Sequence, residues 1–140
     1  MTASRLSTAA QTDCKPSAVD EHHLGRMTLG DRRLEREVLE LFLRQTAIML
    51  DRIVGAEPPL AAAAAHTLKG SARGIGAWRV ARAAELLEQT ATGDGEAARA
   101  SDGSRALNDA IAELRAASLE AGAAIANRLM VLLAEFGREP

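Results

Sequence analysis

His66, Lys69, Gly70 and Arg73 are spaced so that, on a helix, they share one face. They belong to "AAAAAHTLKGSARGIGAW", residues 61–78, where five alanines run into a single imidazole. A neutral imidazole is a good nucleophile near neutral pH, because its unperturbed pKa is about 6.5. An ammonium one turn further on, with a guanidinium a turn beyond that, forms a positive patch suited to an anion attached to the ring. On an open surface without an enclosing pocket, a phosphoryl group is the anion that fits best. The lysine is informative by type, since Lys15 and Lys69 are the only lysines among 17 basic residues.

A helical wheel of about 100° per residue, with His66 at zero, places Leu60, Ala64, Leu68, Ser71 and Ile75 at roughly 120° to 200°. Pro59, Ala62, Ala63, Lys69, Gly70 and Arg73 lie within about 60° of the ring. The large apolar residues are therefore expected to face a core and His66 to face water. Ala62, Ala63, Gly70 and Arg73 would form a docking surface around it. Exposed helix positions normally carry long polar side chains, and a mid-helix glycine costs about 1 kcal/mol relative to alanine. Gly70 one turn after His66 implies that something must approach the ring closely.

The elements that position this face follow from periodicity. Residues 1–19 are small, polar and aperiodic, and read as a disordered leader before a domain spanning 20–140. A short helix is expected from Asp20 to Met27, capped by Asp20, with Leu24 and Met27 tucked against the body. A long helix from Asp31 to about Val54 carries Leu34, Val38, Leu41, Phe42, Ile48 and Met49 as its stripe. Gln45, polar within that stripe, either reaches toward the ring or sits at a boundary. Pro58 and Pro59 suit the first turn of the next helix, which runs to about Arg73 before Gly74 and Gly76 interrupt it. A further helix covers about Ala77–Thr90. Residues 92–104, rich in Gly, Ser and Asp, read as a loop. The last helix, about Ser104–Phe136, places Leu107, Ile111, Leu114, Ser118, Ala121, Ile125 and Leu132 at alternating steps of four and three. An all-α fold follows: an antiparallel four-helix bundle with a short extra N-terminal helix.

Composition agrees. Hydrophobic residues make up 47% of the 140-residue chain but aromatics only 2%, which suits helix-on-helix packing through Leu and Ala rather than a sheet. The net charge of -2 gives no general attraction to nucleic acid or to an anionic membrane. Cys14 is the only cysteine, and the chain has no signal-peptide pattern and no continuous apolar run of membrane-spanning length, so a cytoplasmic setting is expected. His22 and His23 lack metal-ligand spacing with His66, and no metal or cofactor site is expected.

The motif "HTLKGSARGIGA", His66 to Ala77, resembles the signature of the histidine-containing phosphotransfer (HPt) domains of two-component phosphorelays. The resemblance extends over about residues 19–133, with "LEREVLELFL" similar to the helix entering the bundle and "AAELLEQ" placing Glu88 where a second motif helix often ends in Leu-Glu. It implies that His66 carries the phosphoryl group on its distal ring nitrogen and that Lys69 helps neutralise it. Gly70 would leave room for an incoming receiver domain. Ser71, Gly76 and Ala77 would serve packing and the turn, and Arg73 docking. Partners would be response-regulator receiver domains and a sensor histidine kinase or hybrid kinase, with Mg²⁺ supplied by the receiver. Arg73, Arg79 and Arg82 are candidates for partner choice. The chain has no Gly-rich phosphate loop or other nucleotide-binding segment, so a free-standing phosphocarrier is expected rather than an enzyme. A monomer is the simpler expectation, although an exposed seam on the last helix would permit a dimer. The competing reading is a helical adaptor that binds receiver domains or kinases through the same face without being phosphorylated.

Overall fold

The computed structural model describes residues 17–93 and 103–137. Among these residues every regular element is helical: α1 (Glu21–Met27), α2 (Arg32–Ile53), α3 (Pro58–Ile75), α4 (Trp78–Thr92) and α5 (Gly103–Gly137). The expected leader up to residue 16, and most of the expected loop at 92–104, lie outside the described residues. Val19, assigned to that leader, is buried in the core.

Local chemistry sets the helix boundaries. Asp20 caps α1 by accepting from the His23 backbone N–H at 3.1 Å. Asp31 caps α2 by accepting from the N–H groups of Arg33 and Leu34 at 2.9 and 3.1 Å. Pro58 and Pro59 occupy the first turn of α3, where their missing N–H groups leave no intrahelical bond unmade. Gly74 does not interrupt α3, which continues to Ile75. The stop comes at Gly76, whose φ of 82° is left-handed.

The four long helices form a ring in which α2 packs on α3, α3 on α4, α4 on α5, and α5 on α2. Glu35, near the start of α2, pairs bidentately with Arg128, late in α5, whereas Val54, past the end of α2, lines a cleft with Asn108 and Ile111. The two helices therefore run in opposite directions. Leu39, Leu68, Leu87, Leu114, Ile125 and Leu132 are fully enclosed between the helices. α1 packs against α3 with Leu24 buried, but Met27, expected to tuck in beside it, is exposed.

The expected stripe of α2 is rotated from the observed one. Glu35, Leu39, Phe42, Thr46, Met49 and Ile53 are buried, while Leu34, Leu41 and Ile48 are exposed. The buried set includes two polar positions that a stripe of large apolar residues does not register: Glu35, whose carboxylate is matched by Arg128, and Thr46. The stripe expected for α5 is closer to what is observed, with Leu114, Ser118, Ala121, Ile125 and Leu132 buried and Leu107 and Ile111 partly so. Within Gly103–Glu135 this helix is also long and apolar enough to cross a membrane, a span assembled from alanines rather than from a continuous run of large apolar residues.

Gly76 holds α1, α3 and α4 together. Its carbonyl accepts from the Asp20 N–H at 2.9 Å, and a Cβ on it would lie 2.8 Å from the Asp20 Cβ. Gly76→Ala is expected to lower the unfolding free energy by at least about 2 kcal/mol in urea titration, from left-handed strain and steric overlap combined.

Candidate functional site

The site begins with the alanine run. Ala61, Ala62, Ala64, Ala65, Leu68 and Ala72 are all buried, so the enclosed arc of α3 is much wider than the large side chains alone imply. Most of that arc is methyl groups, which allow α4 to lie close against α3, the most extensive helix contact in the fold. Ala62 is buried and so is not part of an open docking surface, which corrects the wheel-based placement. Leu60, placed on the core side by the same wheel, is 66% exposed in the first turn.

His66 stands at the edge of the α3–α4 seam with 66% of its side chain exposed. The close approach of α4 brings Glu88 beside it. One carboxylate oxygen of Glu88 lies 2.9 Å from His66 Nδ1, and the other accepts from Lys69 Nζ at 2.9 Å. The hydrogen bond from Lys69 is the largest influence holding the Glu88 pKa below the ordinary carboxylate value, with the His66 bond helping and burial opposing. At neutral pH Glu88 is ionised and can only accept, so Nδ1 is the ring nitrogen that carries hydrogen. That leaves the Nε2 lone pair free on the exposed edge of the ring. Because folding lowers the Glu88 pKa, its contribution to stability is complete above the usual carboxylate range and is lost as pH falls through the lowered value.

Lys69 is held inward, with 16% of its side chain exposed, and its nitrogen lies 4.0 Å from Glu85 as well as against Glu88. An ammonium has three donors, so it can turn to an added anion while keeping one carboxylate. Arg73 is exposed and donates to Glu85 at 3.1 Å, extending the network from imidazole to guanidinium through two carboxylates. Ala63 and Gly70 are exposed beside the ring, as expected, and a Cβ on Gly70 would meet nothing within 4 Å. The fold therefore provides no internal reason for glycine at that position.

Other residues turn inward. Gln45 accepts from the Ser71 hydroxyl at 2.6 Å rather than bonding the ring, so it joins α2 to α3. His23 bonds the Arg73 carbonyl at 3.0 Å and packs edge-on against Trp78 with ring centroids 4.9 Å apart, which makes it an anchor for α1. Arg79 pairs with Glu113 and Glu120 across the α4–α5 contact. No group of three or more His, Cys, Asp or Glu among the described residues has a geometry that could hold a metal ion. Glu88 is the member of this network that sequence reasoning left without a role. The available signal was its place in "AAELLEQ", but the pairing with His66 spans 22 positions and needs the helix packing to become visible.

Residues 37–117, more than half of the chain, match the family described as the Hpt domain, and the match includes every member of this network. The chain belongs to the Hpt domain family. Comparisons with curated proteins and with solved structures found no significant match. As in Hpt domains generally, the setting is two-component phosphotransfer, and the carrier role does not require a nucleotide site of the classical enzyme kind. In this Hpt domain the imidazole is oriented by an ionised carboxylate that it shares with the neighbouring lysine.

If Glu88 sets the tautomer, ¹⁵N NMR at a pH where His66 is neutral will show hydrogen on Nδ1. Glu88→Ala should restore the Nε2–H form that free imidazoles favour. An unchanged tautomer in the variant refutes the assignment.

Proposed function

We propose that this chain is a phosphorelay intermediate that accepts a phosphoryl group on Nε2 of His66 and exchanges it with an aspartate of a response-regulator receiver domain. The observation that carries this reading is the asymmetry of the ring: Nδ1 is tied to Glu88 while Nε2 is open to solvent next to a glycine the fold does not need.

Transfer from a receiver forms a bond between Nε2 and phosphorus as the bond between phosphorus and the aspartyl oxygen breaks, and the carboxylate leaves with its electron pair. The imidazole becomes positively charged as it attacks, and Glu88 on Nδ1 stabilises that charge. The reverse step uses the same contacts. Such a reaction needs positioning and charge neutralisation more than covalent help from the protein. Lys69 balances the phosphoryl charge by redirecting a donor from the carboxylates. The Mg²⁺ that the reaction requires is supplied by the receiver domain. Gly70 and Ala63 let the receiver reach the ring, and the exposed Leu41 and Ile48 on α2 offer apolar surface beside α3. A sensor or hybrid histidine kinase is the original phosphoryl source, and the relay operates in the cytoplasm.

Incubation with a phosphorylated receiver domain should label the chain with an acid-labile, alkali-stable phosphate, and His66→Gln should abolish the label. A label that persists refutes the site. If no label forms, and wild type and His66→Ala bind a receiver equally well, the chain is an adaptor instead. Lys69→Ala is expected to slow transfer about tenfold or more, a loss of roughly 1.4 kcal/mol of transition-state stabilisation.

Gly70→Ala separates stability from function. It should raise the unfolding free energy by about 0.5–1 kcal/mol, because the position is helical and unobstructed. It should also reduce the transfer rate by crowding the approach to Nε2. A variant that is more stable and equally fast shows that the glycine does not serve docking.

A further inference from the structure

Away from His66, the least complete seam of the ring lies between α2 and α5. A cleft of about 290 Å³ opens there among Phe42, Leu43, Thr46, Ser118 and Leu119, and another of about 560 Å³ lies beside it along Val54, Ile111, Ala112 and Arg115. The hydroxyls of Thr46 and Ser118 are buried in the first cleft without any hydrogen-bond partner. Their residues are only 7% and 9% exposed. Chain that fully packed this seam would leave neither the space nor the unpaired hydroxyls.

The outer face of α5 beside these clefts carries a second periodic stripe. Ala112, Leu119, Ala126 and Leu133 recur every seven residues, with Ala116, Ala123 and Met130 alongside. Leu119, Met130 and Leu133 are 76%, 68% and 54% exposed, so the bundle itself leaves this stripe uncovered. Between Ala112 and Ala134 the helix has four charged residues: Glu113 and Glu120 are drawn off the stripe to Arg79 and Arg128 to Glu35, and Arg115 stands at the clefts. The stripe thus presents a clefted end near Ala112–Leu119 and a protruding end at Met130–Leu133.

We propose that the outer face of α5 pairs with the same face of a second copy of this chain, antiparallel about a two-fold axis near Gly122 and Ala123. The alternation of large and small residues selects this occupant and this direction. In a parallel pair leucine would face leucine and alanine would face alanine. In the antiparallel pair Leu119 faces Ala126 of the partner subunit, and Ala112 faces Leu133 of the partner subunit, so each layer of the seven-residue stripe sets a large side chain against a small one. The smallest residues, Gly122 and Ala123, fall where the backbones come closest. Met130 of the partner subunit then lies over Arg115, and with the partner's Leu133 it covers the mouths of both clefts. The contact is isologous, so each clefted end receives the other chain's protruding end and the assembly closes at two. His66 projects from α3, across the ring from α5, and both acceptor faces stay open. This departs from the monomer expected on grounds of simplicity.

Sedimentation equilibrium of the full chain is expected to give twice the 14.8 kDa of one copy. Leu119→Glu and Ala126→Glu should each weaken self-association at least tenfold while leaving helical circular dichroism and phosphoryl labelling of His66 intact. In a Cys14→Ser background, a chain carrying Leu119→Cys should form a disulfide with a chain carrying Ala126→Cys, and neither should cross-link efficiently with itself. Wild type that stays at single-copy mass up to its solubility limit overturns the proposal. So does preferential cross-linking of 119 with 119, which indicates parallel pairing. A chain that is monomeric in buffer but sediments with phosphatidylcholine vesicles also overturns it, because the face then serves a lipid surface.

Discussion

The chemistry of this protein depends on how closely α4 can approach α3. Only methyl groups along much of the enclosed side of α3 permit the short separation that lets Glu88, on α4, touch residues on α3. Once there, its carboxylate does two things with two oxygens. It orders the imidazole so that one nitrogen is committed and the other is available, and it holds the lysine beside the ring. A bulkier seam would separate the carboxylate from the ring, leaving the tautomer to solvent. The alanines that looked like clearance for a partner are therefore mainly the packing that assembles the site, and Ala63 alone among the five is exposed.

Two glycines on the same stretch illustrate opposite constraints. Gly76 is required by the fold, because its backbone is left-handed and the Asp20 backbone and Cβ press against it. Gly70 is ordinary helix with open space above it, so its cost in helix propensity is offset by nothing inside the chain. The neighbouring Gly74 also faces open space, beside the shallow cleft it shares with Leu41 and Gln45, so the unobstructed strip on α3 extends past Arg73.

The abundant arginines divide between these tasks. Arg128 neutralises the buried Glu35 and so ties the end of α5 to the start of α2, while Arg79 bridges α4 to α5 through Glu113 and Glu120. These are pairings in which a planar, permanently charged fork is useful. Beside the ring the basic residue is instead Lys69, whose compact charge lies against Glu88 and within 4.0 Å of Glu85. On the His66 side of the molecule, Arg73 pairs with Glu85 while remaining exposed.

The sequence alone was sufficient for the helices, their caps at Asp20 and Asp31, the exposure of His66, the company of Lys69, Gly70 and Arg73, and the resemblance to Hpt domains. All of these are written in residues close together in the chain, where periodicity, capping and backbone propensity act. It misplaced Ala62, Leu60 and the stripe of α2, because a wheel built on large apolar residues does not register burial by alanine or an inward-facing glutamate. Only the tertiary structure decided that Glu88 meets His66, that Gln45 serves Ser71 instead, and that Arg79 pairs with Glu113 and Glu120 on α5. Those outcomes depend on the distance and rotation between helices, which are set by the whole packed core rather than by any one segment.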